Sequence, residues 1–189
     1  MSGSSTMPLS PNEAADALRD ISQTESRSAK AYGYHMMSPH LLLWGAIWLG
    51  EYGGFYLDPR RSGLFSLLSL VGVAGSFLIG WRMKRGRVDN YSWRYGATIV
   101  LAFFFVTAFF AVFPPTSDKQ IGAFFPLLVA LLYVLMGIWG NAFRMGVIGV
   151  ALGVITLVGY FYFPATFMLW MAIAGSGALI LGGLWMRSV

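Results

Sequence analysis

Six long apolar stretches run through this chain, at roughly 40–57, 64–82, 94–113, 121–140, 143–162 and 165–186, each closed by polar or helix-breaking residues. About 20 mostly apolar residues in a helix cross about 30 Å of hydrocarbon, so each stretch is long enough to span a bilayer. Ser38-Pro39 reads as an N-cap followed by proline at the first helical position, and Asp58-Pro59 closes that segment. Arg60-Arg61-Ser62-Gly63 forms the turn into the second stretch. Pro114-Pro115 ends the third, because two successive residues lack the N–H that a helix needs. Asn141 and Arg144 mark a short break before the fifth, and Pro164 separates the last two. Connections this short predict antiparallel neighbours. The expected fold is all-α: a six-helix transmembrane bundle over 39–189, preceded by a cytoplasmic arm over 1–38.

The arm is polar and has no short apolar core behind a basic start, so it does not read as a cleavable signal peptide. Ser10-Pro11-Asn12-Glu13 has the spacing of a capping box. Ala14, Ala17, Leu18 and Ile21 follow at helical spacing, with Asp16, Arg19, Asp20, Arg27 and Lys30 elsewhere around the turn. A weakly amphipathic cytoplasmic helix over about 11–31 is expected. It could rest on the membrane surface, dock a cytoplasmic protein partner, or stay disordered, and the sequence leaves these open.

Basic residues set the expected orientation, since cytoplasmic loops carry the excess of Lys and Arg. With the N-terminus inside, the inner segments hold Arg19, Arg27, Lys30, Arg82, Lys84, Arg85, Arg87, Arg94, Arg144 and Arg187. The outer loops hold only Arg60, Arg61 and Lys119, so both termini are expected in the cytoplasm. Composition agrees with lipid as the main solvent: 57% of residues are hydrophobic and 11% charged. A soluble domain has roughly 45–50% and about 25%. Intrinsic disorder and a nucleic-acid-binding domain are disfavoured, and zero Cys disfavours a secreted disulfide scaffold. Minimal loops without a cytosolic domain suggest a bacterial inner (plasma) membrane protein.

Three helix ends read alike, each with Gly, then Trp, then Arg: Gly80-Trp81-Arg82, Gly137-Ile138-Trp139 with Arg144, and Gly183-Leu184-Trp185-Met186-Arg187. Ala74-Gly75-Ser76 and Ala174-Gly175-Ser176 repeat a further step. A tripled ancestral hairpin would give this pattern, and so would an aromatic belt with positive-inside charge. The glycines at 146, 149, 153 and 159, then Pro164, then glycines at 175, 177, 182 and 183, resemble a hairpin of the HdeD-like acid-resistance membrane protein family. That resemblance covers residues 143–187 and implies six spans built as glycine-rich hairpins; it carries no site residues.

Small residues let helix backbones approach closely in lipid. Ala46-x3-Gly50-x3-Gly54, Gly72-x3-Ser76-x3-Gly80, Gly149-x3-Gly153 and Ala174-x3-Ala178-x3-Gly182 are expected packing stripes, with a homodimer through any stripe left over.

Glu51 is the one acidic residue well inside a stretch, about 10 Å inward of Asp58 at 1.5 Å per residue. A carboxylate there is costly unless protonated, paired or wetted, which makes it a functional hypothesis. Trp44, Ile47, Trp48, Gly54 and Phe55 share its helical face, and Trp44, Trp48 and Phe55 could wall a lipophilic cation or a proton-coupled step. Ala46-Ile47-x3-Glu51-x2-Gly54 is similar to the first helix of small multidrug-resistance transporters, which implies proton-for-cation exchange at Glu51. Pairing with Arg60, Arg61 or a tyrosine is the structural alternative.

His35 and His40 flank Met36 and Met37, a ligand set that would suit Cu(I). Residues five apart point about 140° away from each other on one helix, so the pair is a weak metal candidate and no cofactor is expected. Arg82, Lys84, Arg85 and Arg87 form the densest basic cluster, read as a contact for anionic lipid headgroups, with about 1 kcal/mol per basic residue. The chain offers no phosphate loop, metal-spaced acid/His set or nucleophile–base pair. A non-catalytic membrane component engaging a partner or anionic lipid is the expected function, and a small proton-linked transporter or channel using Glu51 is its rival. Nucleic acid is not an expected partner.

Overall fold

The computed structural model describes residues 11–84 and 93–188, and the described residues are almost entirely helical, with no strand among them. The first helix, α1, runs Pro11–Leu57, 47 residues and about 70 Å at 1.5 Å per residue. A short 3-10 turn, Pro59–Arg61, leads into α2 (Ser62–Lys84), and α3 (Trp93–Val112) follows. Then come α4 (Asp118–Trp139) and α5 (Phe143–Tyr162). The last helix is built of α6 (Phe167–Trp170), a π-helical turn at Met171–Gly175, and α7 (Ser176–Arg187).

The helix start expected at Ser38-Pro39 is corrected: Pro39 lies inside α1, and the arm helix and the first apolar stretch are one element. Proline at this position removes the N–H that would reach the His35 carbonyl. The helix continues because its buried face does. Tyr34, Ser38, Leu41, Gly45, Trp48 and Tyr52 recur at spacings of four and three, and all six are buried. Ser38 caps nothing; its fully buried hydroxyl donates to the Gly183 carbonyl of α7 at 2.7 Å. The described part of the helix begins at Pro11, and the capping residue expected at Ser10 lies outside the described residues.

The breaks between later helices follow local chemistry. Ser117 accepts from the Gln120 N–H at 3.4 Å and caps α4. Asn141 takes φ 48°, a left-handed conformation that its short polar side chain tolerates, and this turns the chain from α4 into α5.

Close approaches define the packing. α1 and α2 form an antiparallel hairpin in which Gly72 lies under the Trp44 ring and Gly75 under Leu43. α4 and α5 form another, with Gly137 against Gly146 and Gly149 against the Ala130–Val134 backbone. α7 runs antiparallel to α1, with Gly183 on Leu41 and Leu42 while Gly45 faces Ser176 and Ile180. α5 meets the last helix at Gly182 on Ile148 and Gly159 on Trp170. The expected stripe on α1 is thereby shifted: Ala46 is exposed, and Gly45 makes the close approach to α7. Gly80 of the α2 stripe faces open space among the described residues. α3 touches α4 through its phenylalanines, with Phe109 stacked on Phe124 at 5.0 Å and Phe110 at 4.8 Å from Phe124.

Among the described residues, three helices are long and apolar enough to cross a membrane: Asp118–Trp139, Phe143–Tyr162 and Phe167–Arg187. The apolar part of α2, Leu67–Met83, is shorter. Leu131, Ile138, Trp139, Val150, Phe161 and Leu181 on these helices are exposed, which suits lipid rather than water as their surroundings.

Candidate functional site

Two polar groupings lie between helices, one near each end of the bundle. The first joins α1 to α2. Glu51 is half-buried, and its Oε1 accepts from the Ser69 hydroxyl at 2.5 Å. Seven residues earlier on the same face, Trp44 Nε1 donates to Ser76 Oγ at 3.1 Å. The spacing of seven on both helices, 44 to 51 and 69 to 76, is what an antiparallel pair needs to form two rungs.

The aromatic face expected around Glu51 divides between neighbours. Trp44 belongs to the α2 seam, whereas Trp48 is 5% exposed and sits edge-on to Tyr52 at 6.0 Å. The Tyr52 hydroxyl donates to the Gly122 carbonyl of α4 at 2.6 Å, tying α1 to the opposite side of the bundle. Phe55 is half-buried one turn further on. Among the described residues the hydrogen-bond partner of Glu51 is Ser69 rather than Arg60 or a tyrosine, and the Arg61 side chain lies outside the described residues. Ser69 was legible only as one of several serines in α2, since nothing in its own sequence context marks it. One carboxyl and two hydroxyls within a helical bundle can exchange a proton or pair with a cation.

The second grouping surrounds Tyr34. The Arg144 guanidinium lies between two rings, 5.7 Å from the Tyr34 centroid and 5.0 Å from that of Trp185. Its Nη1 donates to the Trp185 carbonyl at 2.5 Å and to Ser188 Oγ at 3.2 Å, which caps the end of α7. The Arg144 backbone N–H reaches the Tyr34 hydroxyl at 3.4 Å. Arg187 Nε donates to Ser38 Oγ at 3.0 Å. Tyr34 and Ser38 were not expected as site residues, although both lie on the heptad-spaced face of α1.

Of the expected lipid contacts, Arg82 is exposed at the end of α2; the Lys84 side chain, Arg85 and Arg87 lie outside the described residues. His35 is exposed and His40 half-buried, and no group of three His, Cys, Asp or Glu side chains placed to hold a metal occurs among the described residues. Comparison with family models, with curated proteins and with solved structures returns no match.

Proposed function

We propose that the chain is a non-catalytic component of a membrane, crossing it six times with both termini in the cytoplasm and carrying a rigid docking arm. The observation that carries this reading is the continuity of α1. One helix holds the buried seam from Tyr34 to Tyr52 and also the polar stretch from Pro11 to Gly33, about 34 Å of further helix. On that stretch Leu18 is 67% and Ile21 56% exposed, which leaves an apolar pair for a partner. A helix anchored this firmly presents such a pair without first paying an ordering entropy. The six-span reading is supported by the six apolar stretches and by the antiparallel hairpins. The orientation is supported by the ten-against-three distribution of basic residues, and the bacterial inner membrane by the brevity of the loops.

Deleting residues 1–31 should abolish recovery of the partner from solubilised membranes, and Leu18→Asp with Ile21→Asp should do the same in the intact chain. Recovery of the same proteins without the arm would end the docking reading. A second reading, a proton-linked transporter, is favoured by one observation, the half-buried Glu51 carboxyl bonded to Ser69. It requires that Glu51→Gln abolish proton-linked flux in proteoliposomes with the fold intact. The membrane-component reading requires that this change leave partner recovery untouched.

A further inference from the structure

We infer that the Tyr34 end of the bundle binds the phosphate of an anionic lipid headgroup between Arg144 and Arg187. The inference rests on the membrane-spanning reading above and goes beyond it by naming a site distinct from the basic loop.

Both guanidinium groups are held in place yet keep donors to spare. Arg144 uses Nη1 for the Trp185 carbonyl and Ser188, so Nε and Nη2 have no partner among the described residues. Arg187 uses Nε for Ser38, so both of its terminal nitrogens are likewise free among the described residues. Ser38 is fully buried and gives its proton to the Gly183 carbonyl, which fixes its oxygen as the acceptor for Arg187. The rings of Tyr34 and Trp185 confine Arg144 further. A guanidinium so confined loses little freedom on binding, and its fork matches two phosphate oxygens.

Among the described residues, no carboxylate offsets the charge at this end. The described acidic residues of the bundle are Glu51, Asp58 and Asp118, and all three lie toward its other end, where α1 finishes and α4 begins. The arm residue nearest Tyr34 in sequence that carries a carboxylate is Glu25, about 13 Å away along α1. α2 runs antiparallel to α1 and brings the exposed Arg82 to the same end, adding to the positive potential. Trp185 is partly exposed, as aromatic residues at headgroup depth are. A phosphate-bearing lipid supplies the missing charge, and its acyl chains lie along the exposed apolar faces of α5 and α7.

The test uses the full-length protein in neutral detergent, with retained lipid measured by native mass spectrometry. The wild-type chain should bind phosphatidylglycerol at least tenfold more tightly than phosphatidylcholine. Arg144→Gln with Arg187→Gln should weaken phosphatidylglycerol binding by roughly 30-fold, whereas Arg82→Gln should change it by less than about threefold. If the double variant loses its helical circular dichroism, Arg187→Gln alone should still weaken binding by roughly fivefold. Unchanged phosphatidylglycerol affinity in the Arg144 and Arg187 variants, or equal affinity for the two lipids, overturns the inference. Displacement by millimolar inorganic phosphate overturns the lipid as the source of the phosphate. Carbonate washing of native membranes separates the two levels. A chain that washes off refutes the membrane reading and this site with it, while a chain that stays but shows no lipid preference refutes the site alone.

Discussion

Gly149→Ala probes a close backbone contact between α4 and α5. A Cβ on Gly149 would stand 2.7 Å from the Ala130 carbonyl oxygen, 2.8 Å from the Val134 nitrogen and 2.9 Å from Tyr133 Cβ. Two of these are backbone atoms, which no rotamer change can move. The hairpin must open by about 0.7 Å to bring the closest of them to ordinary van der Waals distance. Overpacking of this kind costs about 1–3 kcal/mol. The gain in helix propensity from Gly to Ala offsets about 0.5–1 kcal/mol. The middle of each range leaves a net loss of about 1.3 kcal/mol, which lowers the Tm of a chain this long by about 2.5–5 °C. Thermal unfolding in detergent, followed by far-ultraviolet circular dichroism, reads the shift. Gly177→Ala is the control, because a Cβ there meets nothing within 4 Å. A Gly149→Ala chain as stable as wild type, or a control that falls equally, would refute the close-approach account of this hairpin.

Three further changes test other parts of the bundle. Tyr52→Phe removes the 2.6 Å bond to the Gly122 carbonyl and should destabilise by about 1 kcal/mol, seen as a lower Tm with unchanged helicity. Ser38→Ala leaves the Gly183 carbonyl and Arg187 without their shared partner and should cost about 1–3 kcal/mol; no loss would mean that Ser38 does not lock α1 to α7. Deleting residues 1–31 should leave the Tm of the bundle within about 2 °C, because residues 15–25 are exposed and add little packing.

How much of this was legible beforehand differs from residue to residue. The Pro59, Pro114, Pro115 and Asn141 breaks all fall between helices, since missing N–H groups and a left-handed turn act locally. Pro39 looked identical to them and behaves differently. Its helix is carried through by the heptad-spaced face from Tyr34 to Tyr52, whose packing outweighs the one hydrogen bond that Pro39 removes. Glu51 stood out by its charge alone. Ser69 could not be paired with it, because the partner depends on the α1–α2 register.

The sequence by itself determined that the chain is helical, where most helices stop, and that it carries six apolar stretches, three of which are, among the described residues, helices long and apolar enough to cross a membrane. Those properties follow from backbone chemistry and from the transfer of apolar side chains, which act within a single segment. The tertiary structure decided which face of each helix turns inward. In a helix apolar on all sides, hydrophobicity gives no contrast between the lipid face and the packed face. The choice falls to close approaches such as Gly45 on Ser176, Gly149 on Ala130 and Gly183 on Leu41, and to buried hydroxyls such as Ser38. These contacts join residues up to 145 positions apart, so only the folded chain brings them together.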